Sequence, residues 1–325
     1  MTQSDYSEDK FSFYITKDKS LIIRGIGILL VLLGHLGLWK NAGGGGVVLF
    51  LMLSGYGLNE SFIKSNSLTN YWKNRLIRVY LPYLAVISFQ LIARSERSCI
   101  VWVLSLLGAD LNYNVDPTMW YISYIFVWYF IFYFAKKLFL TLRNKYFLLA
   151  KTLESLVFVA GSGICIFLSI SGFWHSDSGA IYYSFTFLLG VTLSEYKSKG
   201  LFNSRIFWTL ILLFFGGITI RFLNGYQLEP HMTIFINFHS IAIMFFAMIL
   251  LLPLGIRDSF ISFLGHNSYA IYLVEGMFIH LQKTLFEPYH YDLVIDIMII
   301  ISSIVAGWII QNCIISPSKN LFLVK

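Results

Sequence analysis

Charged residues are scarce in this chain: Asp, Glu, Lys and Arg together make up 13% of its 325 residues, about half the usual share. That scarcity, with 57% hydrophobic residues and a mean hydropathy of +0.69, excludes an ordinary soluble domain of this length. Cysteine is nearly absent. The three present, Cys99, Cys165 and Cys313, have neither metal-ligand nor redox spacing, so they read as apolar packing residues and no metal site is expected. With six prolines the chain has no proline-rich linker. It also lacks a Gly-x-Ser-x-Gly elbow, a phosphate-binding P-loop and a His-Glu-x-x-His pair, and RGIGILL starts like a Gly-x-Gly-x-x-Gly run but has no third glycine. Soluble hydrolase, nucleotidase and dehydrogenase folds are thereby excluded.

What the chain has instead is long apolar runs. Ten approach the length that crosses about 30 Å of hydrocarbon: residues 22–39, 47–63, 76–93, 120–138, 147–170, 181–196, 206–222, 233–252, 268–286 and 293–314. The expected fold is all-α, a multi-pass membrane protein with about ten transmembrane helices in one bundle. Residues 1–20 are polar and run into the first span without a small-residue cleavage site. They read as a cytoplasmic segment, followed by a membrane domain at 21–315 and a cytoplasmic tail at 316–325. With both termini inside, only five of the 24 Lys and Arg residues fall on the outer side, namely Lys40, Arg94, Arg97, Arg221 and Lys283, as the positive-inside rule requires. Residues 99–107 are apolar but too short to span, and counting them as a span reverses that bias, so they read as an interfacial or re-entrant piece. The net charge of +7 then follows from orientation against an anionic inner leaflet in the cell membrane, with membrane lipids as partners and no role for nucleic acid.

Two ionisable residues inside the first span need a reason to be there. Arg24 and His35 are eleven residues apart, which places them within roughly 20° of one another and about 16 Å apart along a helix, with the imidazole the deeper of the two. An interfacial anchor plus a hydrogen-bonded structural histidine also satisfies this pattern. Arg75 and Arg78 share a helical face directed at the cytoplasm, and their planar forks suit phosphate oxygens; topology and lipid phosphate contact are the competing reading. The four glycines at 43–46 read as a hinge, and Ser54, Gly55 and Gly57 as a small-residue packing patch. Trp120, Tyr121 and Tyr124 look like an aromatic belt, with Asp116 before Pro117 as a turn or helix start. Ser268 and Tyr269 open a late span whose interior holds Glu275, a carboxylate that needs a partner or a wet cavity. His280 lies about 140° around that helix from Glu275 and is no natural partner. His175, His231 and His290 fall in outer loops, His266 at a helix start and His239 within a span.

Taken in order, these segments resemble the acyltransferase-3 family of integral membrane acyltransferases. Arg24 and His35 match its Arg-x10-His first-helix signature, FLMLSGYGL its Phe-rich Ser-Gly-Phe or Ser-Gly-Tyr second helix, and RLIRVYLPY its Arg-x-x-Arg followed by Pro. MWYIS matches the Trp-containing start of its fourth helix and FLGHNSYAIYLVEG its late Gly-x-x-Ser-Tyr-x-x-Tyr-Leu segment. Two departures stand out: Gly46, Val47 and Val48 replace an acidic residue frequent before the Phe-rich run, and Glu275 stands where the family commonly has His. The resemblance implies transfer of an acyl group, usually acetyl, from cytoplasmic acyl-CoA to a hydroxyl of a carbohydrate or lipid-linked glycan across the membrane. It implies His35 as general base or covalent relay with Arg24; Glu275, where the chain departs from the family, joins the catalytic group because an unpartnered carboxylate inside a span is costly. Arg24, Arg75 and Arg78 are implied at the coenzyme A phosphates, and Ser54, Trp120, Tyr121 and Tyr269 as substrate-lining residues. A small transporter or lipid-linked sugar permease is the alternative, though paired half repeats or broken spans in matching places are not evident. A non-catalytic scaffold leaves Arg24 and His35 without a reason.

Overall fold

The computed structural model describes residues 15–39, 42–94, 98–109, 115–171, 180–198, 239, 260–286 and 293–317. Among these every regular element is helical: α1 Lys17–His35, α2 Ala42–Ser65, α3 Tyr71–Ala93, α4 Cys99–Leu106, α5 Trp120–Leu142, α6 Phe147–Ile170, α7 Thr186–Ser198, α8 Phe260–Phe286 and α9 Leu293–Ile315. Five of them, α2, α3, α5, α6 and α9, are long and apolar enough to cross a membrane, and the protein is a multi-pass membrane protein. Large apolar side chains such as Phe134, Phe167, Ile170 and Ile301 point outward, as a lipid-facing surface requires. Helices α1 and α8 fall outside the set of five because polar side chains interrupt them: Asp18, Lys19 and Arg24 in α1, and His266, Asn267 and Glu275 in α8.

Helix α1 starts earlier than the apolar run suggests. The Thr16 hydroxyl accepts from the Lys19 amide at 3.2 Å, and Asp18 complements the helix dipole in the first turn. Arg24 therefore lies two turns inside the helix, and His35 is its last residue. Glycines 43–46 are also not a hinge. They are helical residues of α2, where a side chain at Gly46 would strike the Gly27 carbonyl of α1. The same close approach joins α2 to α7, since a side chain at Gly55 would strike the Phe187 carbonyl.

The expected span at 181–196 opens as a tight turn, Ala180–Tyr183, where Tyr183 stacks on Trp120 at 5.6 Å, and continues as the 13-residue α7. Helix α4 is a single eight-residue piece, too short to cross, tied to α3 by the Tyr80 hydroxyl donating to the Leu106 carbonyl at 2.7 Å. Residues 206–222, the 233–252 span apart from His239, and His175, His231 and His290 lie outside the described residues. Lys136, nominally part of a cytoplasmic cluster, is buried in α5, paired with Glu154 of α6 and capped by the Phe62 ring at 4.9 Å. Lys151 and Glu195 complete this four-member network, whose formal charges cancel.

One helix pair positions the site. A side chain at Gly25 would strike the Ile261 carbonyl, and one at Gly265 the Leu21 carbonyl, so α1 and α8 touch backbone to backbone there. The pairs 25/265 and 35/275 carry the same offset, so the helices run parallel and in register and ten further residues on each bring His35 beside Glu275. Gly265→Ala is therefore expected to cost about 1–3 kcal/mol of stability through overpacking against rigid backbone, and to lower activity by parting that register. Thermal unfolding in detergent checks the first effect, and an unchanged melting temperature would show the crossing to be looser than described.

Candidate functional site

Six of the sequence-selected residues converge on one cavity. Its volume is about 420 Å³, within the usual range for small-molecule sites. Arg24 enters from α1, Ser54 from α2, Arg75 and Arg78 from α3, Tyr121 from α5 and Tyr269 from α8. Arg24 lies deep among the helices yet keeps a large accessible surface, because what it faces is the cavity. Arg75 and Arg78, three residues apart on α3, both line this space.

The reason is local backbone geometry. Leu76–Tyr80 is a π-helical turn closed by the Leu81 amide donating to the Leu76 carbonyl, and Pro82 stands six residues after its first residue. Proline has no N–H to give the carbonyl four residues back and its ring crowds that carbonyl, so a wider turn relieves the conflict. Gln311–Ile315 repeats the device with Pro317 at the same spacing. Both π turns contribute to the cavity wall, Arg78 and Val79 from one and Gln311 and Ile315 from the other. The Tyr269 hydroxyl donates to the Val79 carbonyl at 2.6 Å and so anchors α8 to the first of them.

The electrostatics are one-sided. No Asp or Glu is part of the cavity wall, and among the described residues none of the three arginines has a carboxylate partner. The Arg75 guanidinium sits over the Tyr129 ring at 5.4 Å, and its Nε is buried without a hydrogen-bond partner among the described residues. Unpaired cations in a low-dielectric site cost several kcal/mol each. An anion with oxygens to share among them removes that cost.

The cavity ends one helical turn short of a second feature. Val31 and Tyr272 close it, and four residues beyond Val31 and three beyond Tyr272 stand His35 and Glu275. His35 Nδ1 lies 3.1 Å from Glu275 Oε1; the imidazole is 28% exposed and the carboxylate fully buried. With Nδ1–H donating to the carboxylate, Nε2 is the nitrogen left to accept a proton. Beside the pair, Asp116 caps the turn Pro117–Met119, accepting from the Thr118 amide and hydroxyl at 2.9 and 2.7 Å and from Gln90 Nε2 at 2.9 Å.

Of the three selected residues outside the cavity wall, His35 and Glu275 stand one turn beyond it and Trp120 is buried against Tyr183 and Tyr124. Tyr129 and Gln311 line the cavity without having been selected. Gln311, a carboxamide late in an apolar span, carried a usable signal; Tyr129 in an aromatic-rich helix did not. Among the described residues no cluster of His, Cys, Asp and Glu could hold a metal ion.

No curated protein and no solved structure matches the chain. A family model described as an acyltransferase domain matches residues 21–311, nearly the whole of it and all of the residues that build the cavity walls from α1 to the start of the second π turn. With that match, the chain belongs to the acyltransferase-3 family.

Proposed function

We propose that this membrane acyltransferase moves an acetyl or other short acyl group from cytoplasmic acyl-CoA to a hydroxyl of a cell-surface or exported glycan. The observation that carries the proposal is one cavity lined by three arginines that have no carboxylate partner among the described residues, ending one turn from the His35–Glu275 pair. The arginines match the phosphates of the donor, and the thioester end of its flexible arm then points along α1 toward His35. His35 Nε2 takes the proton of the acceptor hydroxyl as its oxygen attacks the thioester carbonyl. The carbon–oxygen bond forms, the carbon–sulfur bond breaks, and the proton passes from the imidazolium to the leaving sulfur to give the free thiol. Glu275 holds the tautomer and stabilises the imidazolium.

The reading carries with it the ten-span topology in the plasma membrane with both termini cytoplasmic. It is supported by the distribution of Lys and Arg and by the polar first turn of α1 at the arginine end of the cavity. Mass spectrometry of surface glycans from cells with and without the protein tests the proposal: loss of O-acyl groups supports it, and identical glycans refute it. The donor assignment makes a separate prediction. Arg75→Ala or Arg78→Ala should raise the apparent KM for acetyl-CoA roughly tenfold and make it more salt-sensitive, with a smaller change in kcat. A change confined to the acceptor constant would contradict the assignment.

A further inference from the structure

Glu275 makes only half of its hydrogen bonds. Oε1 meets His35, whereas Oε2, in a residue with no exposed surface, has no partner among the described residues. A buried carboxylate oxygen without a donor is strongly unfavourable. The near polar groups on the α5 side cannot supply one. Both oxygens of Asp116 are themselves acceptors of the Gln90 and Thr118 groups, and the Tyr272 hydroxyl donates to the Thr118 carbonyl.

Helices α1, α3 and α9 all pack on α8, and α9 carries a second buried oxygen without a partner among the described residues. Ser303 is wholly buried there, and its Oγ also has no hydrogen-bond partner among the described residues. Register puts the two orphaned oxygens at one level. A side chain at Gly307 would strike the backbone of Ile271, and α9 follows α8 as the returning arm of a hairpin. One turn back from Gly307 is Ser303, and one turn on from Ile271 is Glu275. Around α8, Glu275 stands roughly 40° from Ile271, which faces α9, and roughly 80° from Gly265, which faces α1. The carboxylate therefore sits between the two partner helices, one oxygen toward each.

We propose that Ser303 is a positioning residue for the reaction: its hydroxyl is the donor to Glu275 Oε2, directly or through one water. Held at both oxygens, the carboxylate cannot swing away from Nδ1 of His35. The proposal rests on the acyl-transfer reading, and its test separates the two. Purified protein is given acetyl-CoA together with a glycan acceptor, and release of the CoA thiol is followed. Ser303→Ala, a change to a smaller residue that α9 accommodates, should lower kcat roughly tenfold with the KM for acetyl-CoA unchanged. In a Glu275→Gln background the same substitution should have no further effect, because the group it acts through is gone. Wild-type kcat in Ser303→Ala, or the same tenfold loss in the Glu275→Gln background, overturns the role of Ser303. Absence of thiol release by the wild-type protein overturns the acyl-transfer reading instead.

Discussion

His35→Ala should abolish acyl transfer, by at least roughly a thousandfold, while leaving the protein inserted and at normal abundance. Structural damage is expected to be small. His35 is the last residue of α1, its side chain is partly exposed, and the crossing that holds α1 to α8 lies ten residues earlier at Gly25 and Gly265. Chemical damage is expected to be large, because among the described residues no second imidazole or carboxylate stands where Nε2 does: Glu275 is fully buried behind the ring and Asp116 is held by three donors. Glycan acylation near the wild-type level in this variant, at matched expression, would remove His35 from the chemistry.

Glu275→Gln is the second large effect, with an expected loss of roughly 10²–10⁴-fold in kcat. The amide keeps the size of the fully buried carboxylate and can still accept from Nδ1, so little structural change is expected. It carries no charge to stabilise the imidazolium, and if its NH₂ group turns toward the ring it selects the opposite tautomer and blocks Nε2 as a base. A purely structural carboxylate predicts near-normal transfer by the Gln variant. Full activity across pH 6 to 8 would mean that the 3.1 Å contact orders the helices and does not assist the reaction.

The relation of Arg24 to His35 was legible in the sequence because both sit on one helix, where spacing alone sets the shared face. The start of the helix was not legible. Hydropathy marks where apolar residues begin, at Ile22, whereas the helix begins at its Thr16 cap with a polar turn that an apolar scan passes over. The aromatic residues at 181–185 raised an apolar signal for a span that opens as a tight turn, with Tyr183 stacked on Trp120. Partnership between His35 and Glu275 crosses 240 residues, and nothing local announces it. Its geometric origin is nonetheless written in the chain: Gly25 and His35 have the same spacing as Gly265 and Glu275, and that match acquires meaning only once the two glycines are known to touch. The cavity was half legible. Arg75 and Arg78 stood out as candidate anion ligands beside a topology reading, but the π turn that carries Arg78 follows from Pro82, which by itself reads as an ordinary helix-start residue.

The central claim is that His35, held by Glu275, transfers an acyl group from a donor bound at the three arginines. The most direct test is to supply the purified protein, reconstituted in lipid, with acetyl-CoA labelled in the acetyl group together with a glycan acceptor. CoA thiol release and label on the glycan hydroxyls are then measured for the wild type and for His35→Ala. The expected result is equal amounts of thiol and glycan-bound label with the wild type and neither with His35→Ala; label that crosses the membrane still attached to CoA, or equal thiol release by both proteins, would contradict it.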